Sequence, residues 1–223
     1  MCDAQHLLHH HHHGPEFVLD TPVVRDFIAD VQTAIAGHEG RPVEEAIAAI
    51  EPRFAELMAD PDWLPEEYLS DAPESGMGGG IGQWALYRAQ DGSLCLFSLV
   101  VPAGASTPIH DHRAWGLIGL YRGTQDEDVF ALDEHGHAHQ KSHNELATGD
   151  FFALIPPDDD IHRITTTSEV TSVSLHLLTN DTGCIWRHRY DAETGAPSPF
   201  RSGYVNAECP PEHDHSYDHA HAH

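Results

Sequence analysis

Basic residues are scarce in this chain of 223 residues. It has 11 Lys and Arg against 36 Asp and Glu, which gives a formal net charge of −25 with histidine neutral. This charge repels nucleic acid and anionic membranes, and no basic stripe offers a local exception. We therefore expect neither nucleic acid nor a membrane as a partner. An anionic substrate would need a local cationic anchor.

Long apolar runs are also missing. The sequence has no stretch of 18 apolar residues and no signal-peptide pattern, which predicts a soluble, cytoplasmic protein. Cysteine is sparse, and the four residues stand without metal or redox spacing: Cys2, Cys95, Cys184 and Cys209. This distribution predicts reduced thiols in a reducing compartment and no disulfide framework. The sequence leaves the oligomeric state open.

Histidine is abundant, with 21 residues, and both ends of the chain are rich in it. Residues 1–14 contain five consecutive histidines and look like a purification tag, so we do not expect them to belong to the folded domain. Residues 207–223 combine histidines with acidic residues and prolines, a composition that predicts a disordered tail. Between them we expect a helical region over residues 15–75 and a β-barrel over residues 76–206.

Local patterns support this division. Thr21 followed by Pro22 is typical of an N-cap with proline at the first helical position, and apolar residues then recur at helical spacing. A second helix is predicted from about Pro42 to Met58. Many short strands with turns follow, which favours a sandwich or small barrel with a helical cap. The predicted strands are Trp84–Arg88, Leu94–Val101, Trp115–Tyr121, Asp128–Leu132, Asn144–Ala147, Phe151–Ile155, His162–Thr166, Thr171–Leu178 and Cys184–Tyr190.

Three histidines inside the predicted barrel are the candidate metal ligands. His110 and His112 lie in a run of strand-favouring residues, where side chains two positions apart point to the same face. His162 follows an apolar strand that ends in Pro156 and Pro157. Three neutral imidazoles that leave coordination positions of the metal open are typical of a catalytic metal centre.

The surrounding residues resemble the two metal motifs of the cupin superfamily, whose double-stranded β-helix barrel holds one metal ion. Gly104 precedes the first histidine pair, Gly123 closes the strand pair, and Gly116 stands where cupins usually carry a glutamate ligand. A three-histidine set is the pattern of thiol dioxygenases within the superfamily. The segment 107–123 is very similar to the metal motif of bacterial 3-mercaptopropionate dioxygenases, and the resemblance extends over about residues 80–206.

The resemblance implies further site residues. Ser174 and His176 match a Ser-x-His-x-Tyr relay, but Leu178 replaces its tyrosine and is expected to leave a more apolar pocket. Arg187 matches the arginine that binds the substrate carboxylate. Gln83 matches a glutamine that positions the substrate, where cysteine dioxygenases carry an arginine.

The implied activity is oxidation of a small mercapto-carboxylate by O2 to its sulfinate, with Fe(II) as cofactor. Three neutral ligands leave the full metal charge exposed, which favours a thiolate ligand. Two alternatives stay open: an iron cupin that acts on a non-thiol such as a diketone or a small aromatic ring, and a non-catalytic cupin that binds metal or a small ligand. Neutral imidazoles also accept Zn, Ni and Cu.

Overall fold

The computed structural model describes residues 16–72 and 76–210. The predicted tag-like segment and residues 211–223 of the predicted tail lie outside this part. Two helices, α1 (Pro22–Gly37) and α2 (Val43–Ala59), precede a short 3-10 helix at Glu66–Leu69. The strands are β1 (Gly82–Arg88), β2 (Cys95–Val101), β3 (Ile109–His110), β4 (Gly116–Arg122), β5 (Thr124–Leu132), β6 (Ala138–Ala147), β7 (Phe151–Leu154), β8 (Ile161–Thr166), β9 (Ser172–Leu178), β10 (Arg187–Tyr190) and β11 (Pro197–Phe200).

The strands form a double-stranded β-helix. One sheet has the order β1-β2-β9-β4-β7 and the other has the order β11-β10-β3-β8-β5-β6. From β2 to β9 the chain crosses from one sheet to the other at nearly every connection, and its strand pairs are antiparallel. This is the jelly-roll barrel that cupins use. The predicted fold class, mainly β with an N-terminal helical cap, is confirmed.

The helices cover the outer face of the first sheet. Thr21 caps α1, since its Oγ1 accepts a hydrogen bond from the Val24 N–H at 3.4 Å, as predicted. Side chains of α2 pack so close to β4 that a Cβ added at Gly119 would lie 2.8 Å from Phe54 Cε1. Only glycine permits that approach without a shift of the core.

Every residue of β2 and β9 is buried, because the first sheet packs on both faces. Leu96 and Leu175 belong to the core shared with the helices, whereas Phe97 and Leu178 belong to a second core inside the barrel. The register Phe97↔His176 places that histidine on the inner face. The inner face of this sheet therefore forms one wall of the candidate site.

One strand is shorter than the sequence analysis expected, and another escaped it. β3 covers only Ile109 and His110, so His112 lies beyond the strand and strand alternation is the wrong reason for its position. β11 carries Pro197 and Pro199, which lack the N–H donor of a central strand and suit the edge that β11 occupies.

The prediction that all cysteines are reduced is wrong. Cys184 and Cys209 form a disulfide, while Cys95 is free and buried. The chain after β11 returns to the barrel, where the Gly203 N–H donates to Gly183 O at 2.8 Å, and this contact brings the two cysteines together. Linear spacing does not reveal such a return, so the cysteine argument for a reducing compartment fails. Within the described residues, neither helix is long and apolar enough to span a bilayer.

Candidate metal centre

The structure brings His110, His112 and His162 together inside the barrel. Each is at most 2% exposed, and one ligand atom from each lies within 4.8 Å of the others. His110 ends β3 and pairs with His162 of β8 across the second sheet. The ring centroids are 4.9 Å, 5.1 Å and 4.8 Å apart. The arrangement is a candidate three-histidine metal site.

Each imidazole is oriented by an acceptor at its Nδ1 atom. The pairs are His110 with Pro108 O at 2.8 Å, His112 with Asp160 O at 3.1 Å, and His162 with Glu127 Oε1 at 2.8 Å. Because carbonyl and carboxylate oxygens only accept, each Nδ1 carries the proton and each Nε2 keeps a lone pair. The Nε2 atoms of His112 and His162 are buried and have no hydrogen-bond partner. Such orphaned nitrogens fit a metal ion.

Burial keeps the imidazoles of His110 and His112 neutral. Burial lowers the pKa of His110 well below its ordinary value of 6.5, and the positive charge of Arg187 lowers it further. Burial also lowers the pKa of His112. Neutral imidazole is the form that binds a metal ion.

His112 reaches the triad through a tight turn that the sequence analysis missed. Asp160 Oδ1 accepts the His112 N–H at 2.8 Å, and the same carboxylate accepts the Arg113 N–H. Arg113 adopts φ +56°, a left-handed conformation that non-glycine residues rarely occupy. The carboxylate thus stabilises the bend that aims His112 after β3 has ended. The only signal for Asp160 in the sequence is its position two residues before His162.

Glu127 is the second residue that the sequence analysis missed. It is 4% exposed, on β5, and its other carboxylate oxygen accepts from Asn144 Nδ2 at 3.0 Å. Burial raises its pKa, but the interactions with His162, Asn144 and His112 together outweigh burial, and the net pKa is lowered. A charged Glu127 therefore orients His162.

Ser174 and His176 lie beside the triad, with Ser174 Oγ 3.0 Å from His176 Nε2. The His176 ring stacks on Phe97, with centroids 4.6 Å apart, and its centroid is 6.2 Å from that of His112. Burial holds the pKa of His176 well below its ordinary value, and its Nδ1 has no hydrogen-bond partner. The imidazole is neutral and leaves one ring nitrogen for a ligand.

Leu178 lies on the inner face of β9, in register with Gly116 of β4. It is fully buried, and a Cβ at Gly116 would lie 2.9 Å from Leu178 Cδ2 and 1.9 Å from Leu177 O. Glycine is therefore required at position 116. The leucine occupies this place as part of the inner apolar core.

Arg187 is only 2% exposed and begins β10, which lies between β11 and β3. It donates to Asp111 O at 2.6 Å, Ser202 Oγ at 2.9 Å and Thr182 O at 3.3 Å. Its Cζ lies 4.6 Å from the centroid of the Phe200 ring, which is 6.2 Å from that of His110. Burial lowers its pKa to about 10, so it stays charged at neutral pH. Among the described residues, no carboxylate forms an ion pair with it.

Gln83 is 2% exposed, and its Nε2 has no hydrogen-bond partner. It lies near Gly183 and Tyr204, since a Cβ at Gly183 would meet Gln83 Nε2 at 2.8 Å and the Tyr204 ring at 2.4 Å. Tyr204 escaped the sequence analysis, although it lies in a segment that matches the family. Its hydroxyl donates to Asp181 Oδ1 at 2.9 Å.

No family model matches this chain. Among solved structures it is similar to an oxalate oxidase, at 13% identity and a TM-score of 0.33 over 40% of this chain and 43% of that one. It is also similar to a Klebsiella pneumoniae protein with a double-stranded β-helix domain. The identity is 11% and the TM-score 0.40, over 53% of this chain and 89% of that one. A Lactobacillus farciminis oxalate decarboxylase matches at 12% identity and a TM-score of 0.36, over 48% of this chain and 31% of that one.

This chain spans less than half the length of both oxalate enzymes. At these values the similarities carry no information about activity. The topology and the buried triad define a barrel of the cupin type with a candidate metal centre.

Proposed function

We propose that this chain is a thiol dioxygenase that uses Fe(II) to convert a small mercapto-carboxylate, similar to 3-mercaptopropionate, into its sulfinate. The reaction is R–SH + O2 → R–SO2H, in which the sulfur is oxidised and both oxygen atoms enter the product. One observation carries the proposal: a buried guanidinium without an ion-pairing carboxylate among the described residues lies beside a buried three-histidine site.

The three histidines would hold the iron through Nε2, since their Nδ1 atoms are already engaged. Bound Fe(II) supplies the redox chemistry and favours the thiolate form of the substrate. The chain contributes ligand orientation through Asp160 and Glu127. It also keeps the imidazoles of His110 and His112 neutral through burial.

Arg187 binds the substrate carboxylate. A guanidinium pairs with a carboxylate through two parallel hydrogen bonds, and a buried site strengthens that pair. The Phe200 ring packs against the guanidinium and holds its plane. Gln83 Nε2 is a second buried donor that is available to the substrate. Together they set the distance between the thiol and the carboxylate of an accepted substrate.

His176 is a proton-carrying group of the site. Ser174 and the stack on Phe97 fix its ring, which leaves Nδ1 to bind substrate or water. Because Leu178 offers no hydroxyl, this imidazole acts without a phenol at that position.

Leu178 also favours a second candidate, an iron cupin that oxygenates an apolar non-thiol. The inner core around it contains Met77, Ile81, Phe97, Leu99 and Phe200. An apolar wall binds a diketone or an aromatic acid as readily as a mercapto acid. The carboxylate anchor at Arg187 makes us prefer the mercapto acid over a neutral diketone.

Fe(II) loading without oxygen, followed by isotopically labelled O2, tests the proposal. The substrates are 3-mercaptopropionate, cysteine, cysteamine, a diketone and a small aromatic acid, and mass spectrometry follows the products. We expect a sulfinate with two labelled oxygens from 3-mercaptopropionate, and none with His162→Ala. Labelled product from a non-thiol alone would support the second candidate. A lack of O2 consumption with every substrate would favour a metal-binding or ligand-binding cupin without activity.

A further inference from the structure

The chain after β11 forms a strap along the barrel, defined here as residues 201–209. The Gly203 N–H donates to Gly183 O at 2.8 Å, and the Val205 N–H donates to Gln83 O at 2.8 Å. The Asn206 side chain pairs with both the N–H and the C=O of Ala85, at 2.8 Å and 3.0 Å. The strap thus borders β1 as a neighbouring strand would.

The strap also contacts the proposed substrate anchor. Ser202 Oγ accepts a hydrogen bond from Arg187 Nη2 at 2.9 Å. Tyr204 accepts the Gly183 N–H at 3.2 Å, next to Thr182, whose carbonyl accepts from Arg187 Nε at 3.3 Å. The position of the guanidinium therefore depends on the position of the strap.

The Cys184–Cys209 disulfide joins the end of the strap to the barrel. Both cysteines are partly exposed, whereas Cys95 is fully buried, so a small thiol in solution can reach the disulfide but not the free thiol. Arg88 Nη2 lies 3.3 Å from Cys184 Sγ, and Arg88 Nη1 donates to Glu208 O at 3.0 Å. A guanidinium at this distance stabilises a thiolate on Cys184.

Arg88 is held in that place by an ion pair with Asp181, in which both side chains are 11% exposed. The carboxylate offsets part of the positive charge. The guanidinium nevertheless lies against the sulfur of Cys184, whereas the sulfur of Cys209 lies 3.7 Å from the carbonyl oxygen of Gly183. The two sulfurs are therefore unequal as leaving groups, and Cys184 is the better one.

We propose that the Cys184–Cys209 disulfide is a reactive site for small-molecule thiols, and that its reduction loosens the strap and weakens the anchor at Arg187. A thiolate attacks Cys209 Sγ, the S–S bond breaks, and the electron pair leaves on Cys184. A second thiolate attacks the sulfur of the bound small molecule and releases Cys209 as a thiolate. Two small thiols are oxidised to one disulfide, and the protein disulfide is reduced to two thiols. The exchange is independent of the proposed function, and only its effect on the anchor rests on it.

The exchange is tested on metal-free Cys2→Ser protein under anaerobic conditions, with 3-mercaptopropionate as the probe. Acid quenching and peptide mapping identify the modified cysteine. We expect a mixed disulfide on Cys209 and a free thiol on Cys184, with slower formation in Arg88→Gln than in Arg88→Lys. A disulfide that stays intact until the protein is denatured, or an adduct on Cys184, would overturn the proposal.

Hydrogen exchange tests the loosening of the strap without metal or activity. The double variant Cys184→Ser/Cys209→Ser is compared with Cys2→Ser, which keeps the disulfide. We expect the amides of Gly203 and Val205 to exchange at least about 10-fold faster in the double variant, because local opening limits their protection. Equal exchange rates in the two proteins would contradict the proposal.

The link to the anchor is measured with 3-hydroxypropionate, which keeps the carboxylate and cannot exchange with a disulfide. Loss of the support from Ser202 should weaken its binding in the double variant by about 2- to 10-fold, the worth of one hydrogen bond. Unchanged affinity would overturn the link. If the probe binds neither protein, the carboxylate anchor of the proposed function is wrong, while thiol exchange and hydrogen exchange still decide the disulfide site.

Discussion

The metal end and the substrate end of the barrel interior differ in how the chain holds them. At the metal end, His110 and His162 face each other across paired strands, and Glu127 lies on the neighbouring strand β5. At the substrate end, Arg187 is held by a loop carbonyl, a carbonyl near β3 and the hydroxyl of Ser202. Sheet register thus sets His110 and His162 and a turn held by Asp160 sets His112, whereas loops and a disulfide set the anchor. We expect the metal end to tolerate changes at the substrate end.

Loss of the triad should have the largest effect. His110→Ala, His112→Ala or His162→Ala should each abolish stoichiometric Fe(II) binding, because two imidazoles hold Fe(II) weakly. Metal analysis after anaerobic loading measures the effect, in protein from which residues 1–14 and 211–223 have been removed. His143→Ala is the matched control, since this histidine is on β6 at the surface. Full iron occupancy in His162→Ala would show that the triad assignment is wrong.

Loss of the anchor should leave the metal end intact. Arg187→Ala should weaken the apparent affinity for 3-mercaptopropionate by about 10- to 150-fold, the range for a charge-assisted pair of about 1.5–3 kcal/mol. The affinity for cysteamine, which lacks a carboxylate, should change little. Steady-state kinetics with both thiols provides the comparison, and Arg189→Ala is the control because Arg189 is exposed. Equal losses for both thiols would mean that Arg187 has a structural role.

The neutral histidines predict a pH dependence of stability in the metal-free protein. Burial depresses the pKa of His110 and His176 below 6.5, so the unfolded chain binds more protons than the folded chain once the pH falls below 6.5. The stability is present above pH 6.5 and is lost as the pH falls toward the depressed values, by about 1.4 kcal/mol per unit for each group.

Thermal unfolding from pH 7.5 to 5.5 measures this loss. His176→Gln should reduce the slope. His143→Gln should not reduce the slope. The hydrogen bond to Asp128 raises the pKa of His143, and a raised pKa makes stability fall, not rise, with increasing pH. The same slope in His176→Gln and in the unsubstituted protein would contradict the assignment of a neutral His176.

The smallest expected effect concerns the shape of the pocket. Leu178→Tyr should raise turnover of 3-mercaptopropionate by restoring a hydroxyl near His176, and it should penalise bulkier mercapto acids. A substrate methylene buried against Leu178 contributes about 0.8 kcal/mol, or roughly 4-fold in affinity. Competition between thiols of different size measures the change, with Leu177→Met as a control on the opposite face. Unchanged preference would show that Leu178 does not touch the substrate.

The two ends also differ in what the sequence could predict. The short strands and the helical cap follow from local patterns, because strand-favouring runs between turns and an N-cap leave short-range signals. The disulfide and the strap depend on contacts between residues far apart in the sequence, such as Val205 with Gln83, which leave no local signal. His112 is an intermediate case. Its spacing from His110 is visible in the sequence, but the turn formed by Asp160 and the left-handed Arg113 positions it.

The product formed from labelled O2 by three proteins tests the account most directly. Fe(II)-loaded protein without substitutions should convert 3-mercaptopropionate to a sulfinate that carries two labelled oxygens. Arg187→Ala should bind iron fully and form the same product only at much higher substrate concentration, and His162→Ala should do neither. The account is contradicted if the unsubstituted protein binds iron and yields no sulfinate, or if His162→Ala yields as much sulfinate as the unsubstituted protein.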